Sequence, residues 1–108
     1  MANFKSGPPL HPGEVLREEF MKPMNITGRA LSHALGVTPA RVADVVAEKR
    51  GITPDTALRL SVYFDTTPEF WMNLQQSYDL SVAFRESMDR IKATVHRRAA
   101  VEMELPAN

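Results

Sequence analysis

The chain has 108 residues, 44% of them hydrophobic and 24% charged, with no cysteine and with 13 basic side chains balanced by 13 acidic ones. That length holds one small domain, or a domain with an appendage, and the apolar fraction suffices for a real but small core. The missing cysteines exclude disulfides and thiolate chemistry, and a net charge of zero means that any nucleic-acid surface must be a local concentration of positive charge.

No window approaches the roughly 18 apolar residues of a membrane helix, and the opening residues M-A-N-F-K-S-G-P-P-L-H-P carry no signal-peptide core. A cytoplasmic protein with no membrane partner is expected.

In chain order, residues 13–22 place Val15, Leu16 and Phe20 on one helical side, and Pro23 ends them. Thr27 caps a second helix that Gly36 ends, with Leu31, Ala34 and Leu35 facing the core. Thr38 caps a third helix whose first residue is Pro39 and whose inward positions are Val42, Val45 and Val46. Thr53-Pro54 and Thr67-Pro68 repeat that starting signal, each with an acid (Asp55, Glu69) in the first turn. Residues 54–65 are apolar nearly all round, which predicts a central helix, and the helix from Pro68 contributes Phe70, Trp71 and Leu74. No stretch alternates with period two, so no sheet is expected.

From Asp79 the pattern changes. Phe84, Met88, Ile91 and Val95 recur at spacings of four, three and four, a narrow stripe that either packs back on the domain or pairs with a second copy. The expected division is residues 1–78 as the main helical domain and 79–108 as a C-terminal helix with a frayed tail from Met103 to Asn108.

Two short helices hinged at Leu35-Gly36-Val37 form the arrangement that lets the second lie in the DNA major groove. On that reading Thr38, Pro39, Ala40, Arg41 and Asp44 stand at the reading end of the third helix. Arg41 can grip a guanine or a phosphate, Thr38 can do either more weakly, and Ala40 can touch a thymine methyl. Asp44 must accept from a cytosine amine, pair with Arg41, or point away, and the plain alternative is an Arg41–Asp44 surface pair. Arg29, His33, Lys49 and Arg50 complete the local charge. Residues 28–59 hold five basic side chains (Arg29, Arg41, Lys49, Arg50, Arg59) against three acidic ones (Asp44, Glu48, Asp55). Lys49-Arg50 suits phosphate contact, which positions without reading sequence. Such short reading helices act in pairs, so a homodimer is expected, with the Phe84–Val95 stripe as the candidate contact.

Four blocks in order, H-P-G-E-V-L-R-E-E-F-M-K-P (11–23), A-L-S-H-A-L-G-V (30–37), R-G-I-T-P-D-T-A-L-R-L (50–60) and T-P-E-F-W-M-N-L-Q (67–75), resemble the HigA antitoxin family. These are Xre-type helix-turn-helix proteins, similar to lambda-repressor-like domains. The resemblance implies an all-α fold, a five-helix lambda-repressor-like domain with a C-terminal helical extension. It further implies a dimeric repressor that binds double-stranded operator DNA in its own promoter and neutralises a HigB-like toxin, a ribonuclease that cuts messenger RNA. The sequence departs from the family pattern at Ala47-Glu48, where Asn-Gly is common, and carries Ser32 where alanine is favoured.

Catalysis is not expected. His11, His33 and His96 lie in separate segments without metal-ligand spacing, Glu18 and Glu19 diverge on a helix, and His11 before Pro12 reads as a capping or turn residue. No cofactor and no metal are expected. A stand-alone helix-turn-helix transcriptional regulator without a toxin shares the same DNA-binding half. A protein-interaction module using Phe70, Trp71 and Met72 is the remaining alternative, although aromatic clusters at helical spacing more often belong to cores.

Overall fold

The structure is a computed structural model and describes residues 9–98; the expected fraying of Met103–Asn108 lies outside the described residues. All regular structure there is helical: α1 (Pro12–Val15), a π-helical segment (Leu16–Met21), α2 (Gly28–Leu35), α3 (Pro39–Val46), α4 (Pro54–Phe64) and α5 (Pro68–Thr94). No described helix is long and apolar enough to cross a membrane.

His11 caps α1: its buried imidazole accepts the Gly13 N–H through Nδ1 at 2.8 Å and meets the Tyr78 ring edge-on, with centroids 4.7 Å apart. Gly13 lets α1 lie directly on α3, because a Cβ there would collide with the Val45 carbonyl. The expected plain helix over 13–22 is instead widened after Val15 into a π segment. A π turn brings residues five apart onto one side, so both Leu16 and Met21 are buried. Phe20 then meets Phe64, Phe70 and Trp71, with ring centroids 4.9, 6.0 and 5.0 Å away.

Every Thr-Pro pair starts a helix. Thr38, Thr53 and Thr67 accept the N–H of Arg41, Thr56 and Phe70 at 3.2, 3.3 and 3.1 Å, and Thr27 caps α2 in the same way. Gly36, at φ 72°, ends α2 in the left-handed conformation, and the Val37 N–H returns to the Ser32 carbonyl at 3.0 Å. One inward position differs from expectation. Ala34 faces solvent and Ser32 is buried, its hydroxyl satisfied by the Arg29 carbonyl at 2.8 Å. A buried hydroxyl is tolerable where it donates to a local carbonyl.

The core joins Leu16, Leu31, Leu35, Val42, Val45, Ile52, Leu60 and Trp71. Trp71 is wholly enclosed and its indole N–H donates to Thr66 Oγ1 at 2.9 Å. Phe70 is partly exposed and Met72 half-buried, so this cluster caps the core instead of offering a free aromatic face. Helix α4 is not buried all round: Leu58, Val62 and Tyr63 face outward, Val62 at 84% exposure. Its inner side suffices to fill a core this small.

Helix α5 runs unbroken for 27 residues through position 79, a length of about 40 Å. Ser81 is its last buried residue; Phe84 and Met88 are half-buried, whereas Ile91 and Val95 are exposed, Val95 at 65%.

Burial lowers the His11 pKa below its ordinary 6.5, against the opposing pull of Glu48 and Asp79. The fold therefore favours neutral imidazole. Its contribution to stability is complete above pH 6.5 and is lost as pH falls through the lower folded value. Urea unfolding should show stability falling over that window, and His11→Asn, which can still cap α1, should remove that part of the pH dependence.

Candidate nucleic-acid interface

The outward side of α3 is lined with small residues. Pro39, Ala40 and Ala43 are exposed, as is Ala47 at its C-cap. This spacing keeps one side of the helix free of bulk, so that its backbone can approach a groove closely. Ala43 was not picked out from sequence, yet it lies three residues after Ala40 and the periodicity marks it. Thr38 is exposed, and while Oγ1 accepts the Arg41 N–H its own hydrogen remains able to donate.

Arg41 does not point straight outward. Its Nη2 donates to Asp55 Oδ2 at 2.7 Å and to Thr56 Oγ1 at 2.6 Å, which ties α3 to the start of α4 and leaves the side chain 25% exposed. The Arg41–Asp44 pair is not formed. Asp44 faces Arg50 instead, at 3.9 Å, and its carbonyl accepts the N–H groups of Lys49 and Arg50 at 2.8 and 3.2 Å. Asp44 thus closes the end of α3 and holds its charge beside a cation. Arg29, Lys49 and Arg50 are exposed.

The backbone at Glu48 shows why Asn-Gly is common at Ala47-Glu48. Its φ is 64°, the left-handed conformation that glycine or asparagine adopts at least cost. A glutamate there pays strain of order 1 kcal/mol, partly offset by Arg17, whose Nη2 lies 3.4 Å from Glu48 Oε2 while Nη1 bonds the Val46 carbonyl. The pair draws the acid toward the π segment that carries Arg17.

Asp55 also receives Arg59 Nε at 2.8 Å, and these hydrogen bonds, first from Arg59 and then from Arg41, hold its carboxyl below the usual range. Arg59 Nη1 continues to the carbonyls of Leu35 at 2.9 Å and Gly36 at 3.5 Å. Sequence reading counted Arg59 only as local charge; its spacing of four from Asp55 was the available signal. Among the described residues no group of three His, Asp or Glu is placed to hold a metal ion.

The helix-turn-helix family profile matches residues 18–71. The Pseudomonas aeruginosa antitoxin HigA, solved with the higBA promoter, superposes with a TM-score of 0.82 at 44% identity, over 84% of this chain and 99% of that one. The chain belongs to the HigA-type helix-turn-helix family. Within it, antitoxin GraA in complex with its operator is 46% identical, with a TM-score of 0.83 over 93% of this chain and 99% of that one. The virulence-associated protein I of Dichelobacter nodosus is 53% identical over 76 residues, 70% of each chain. The all-α, lambda-repressor-like fold expected from the four sequence blocks is the fold of these HigA-type structures.

Replacing Lys49 and Arg50 together by alanine should weaken binding to every duplex alike. Titrations at several salt concentrations should show the slope of log K against log salt reduced by about two, the loss expected for two phosphate contacts. A loss confined to one sequence would assign these residues to base reading.

Proposed function

We propose that the chain is the antitoxin of a type II toxin–antitoxin module, repressing its own promoter as a homodimer and neutralising a HigB-like toxin that cuts messenger RNA. The observation that carries this reading is the small-residue side of α3 (Pro39, Ala40, Ala43, Ala47) framed by Arg29, Lys49 and Arg50, in a fold shared with a HigA solved on promoter DNA. In this reading α3 enters the major groove, Arg41 and Thr38 bond to bases or phosphates, and Arg29, Lys49 and Arg50 hold the backbone. Asp44 stays paired with Arg50 and does not read bases. This reading keeps the division expected from the sequence, residues 1–78 as the DNA-binding domain and 79–108 as its C-terminal part, and a cytoplasmic location.

The dimer contact is assigned to the end of α5, where Ile91 and the C-cap residue Val95 stand exposed on the stripe that begins at Phe84. The exposure of these two residues, 38% and 65%, supports that assignment over packing on their own domain. Pairing would bury apolar surface that a monomer leaves wet.

Co-expression with the neighbouring reading frame should separate the antitoxin from a stand-alone regulator. A frame whose product arrests growth alone, and is silenced by this chain, is the expected result. A harmless neighbour, or an arrest that this chain does not relieve, would leave a promoter-binding regulator with no toxin.

A further inference from the structure

Arg41 is anchored and accessible at once. Its Nη2 is bound to Asp55 and Thr56, yet a quarter of the side chain remains open beside the outward side of α3. The acid that holds it is exposed at 56%, lies in the first turn of α4 and stands 2.7 Å from that guanidinium, so DNA that meets Arg41 also meets its charge. An acid in that position repels DNA, so its presence needs a compensating role.

The hydrogen bonds supply one. Asp55 Oδ2 accepts from Arg41 on α3 and from Arg59 on α4, at 2.7 and 2.8 Å. Arg59 reaches on to the carbonyls of Leu35, the last residue of α2, and of Gly36, its C-cap, both within the hinge. Hinge, α4 and α3 are therefore linked through one carboxylate oxygen. A Cβ at Gly36 would sit 3.3 Å from Arg59 Nη1, so glycine there also leaves room for this link.

We propose that Asp55 and Arg59 are positioning residues for DNA binding, which hold the Arg41 guanidinium in place before DNA arrives. A free arginine loses much rotamer freedom when it binds; a guanidinium already fixed by a carboxylate loses less and presents its remaining donors in a set direction. This inference rests on the proposed reading of α3 and adds residues outside the two hinge helices' outward faces. It carries a sign opposite to simple electrostatics. Removing the Asp55 charge takes repulsion away from DNA, yet it should weaken binding.

The test is a cycle of wild type, Asp55→Asn, Arg41→Ala and the double variant, titrated on a duplex of the chain's own promoter and on a scrambled duplex at several salt concentrations. Asp55→Asn should lower promoter affinity about tenfold, a coupling of ordinary size for contacting charged groups. It should cost little further in the Arg41→Ala background. Its salt slope should not fall as it does in Arg41→Ala, because the Arg41 charge remains and a negative charge has gone. Arg59→Lys, which keeps the charge but not the fork, should weaken promoter binding while circular dichroism shows the variant fully folded at the titration temperature. A retained fold at that temperature separates positioning from loss of fold.

Tighter binding of Asp55→Asn to both duplexes, or additive losses in the cycle, would overturn the positioning role while leaving α3 as the reading helix. A wild type that treats promoter and scrambled DNA alike would overturn the α3 reading itself and this inference with it.

Discussion

The sharp turn between α2 and α3 fixes everything this molecule presents to a partner. Gly36 adopts φ 72°, a conformation that costs any residue with a Cβ on the order of 1 kcal/mol or more, and two residues later Thr38 already caps a new helix. With so short a connection, Leu31 and Leu35 on one side and Val42 and Val45 on the other must share one core. Their burial leaves α3 only one way to face outward. The small residues of α3 are thus exposed as a consequence of what α2 and α4 enclose.

Other parts of the chain reinforce that turn instead of adding separate functions. Gly13 lets α1 rest on the Val45 carbonyl, Arg17 holds the Val46 carbonyl and Glu48, and Arg59 holds the end of α2. Gln75 on α5 accepts the Ile52 N–H at 2.6 Å, which ties the segment after α3 to the last helix. Each contact fixes one end of a short helix whose own propensity would be marginal in water. The result is a reading helix supported from α1, α4 and α5.

The sequence made the local structure legible wherever one residue type has one use. Each Thr-Pro pair marks a helix start, and His11 caps α1 as its place before Pro12 suggested. Less legible were features that depend on partners distant in the chain. The exchange of Ala34 for Ser32 at the core follows from how α2 rotates against its neighbours. The bond from Arg41 to Asp55 crosses fourteen residues, and helical spacing alone pointed to Asp44. The π segment follows from the need to bury both Leu16 and Met21, five residues apart, and periodicity of 3.6 has no provision for it. The outward apolar side of α4 was hidden because a fully apolar helix reads as buried whichever side is enclosed.

The claim on which the functional account stands is that the outward side of α3 lies against DNA. Ala43→Glu tests it most directly, since glutamate is a good helix former and the site is exposed. Measured by titration of a duplex of the chain's own promoter, the variant should lose at least about tenfold in affinity, because a carboxylate would face groove and phosphates. Its melting temperature should match that of the wild type. Unchanged promoter affinity in a variant that folds normally would contradict the account and place the DNA on another surface.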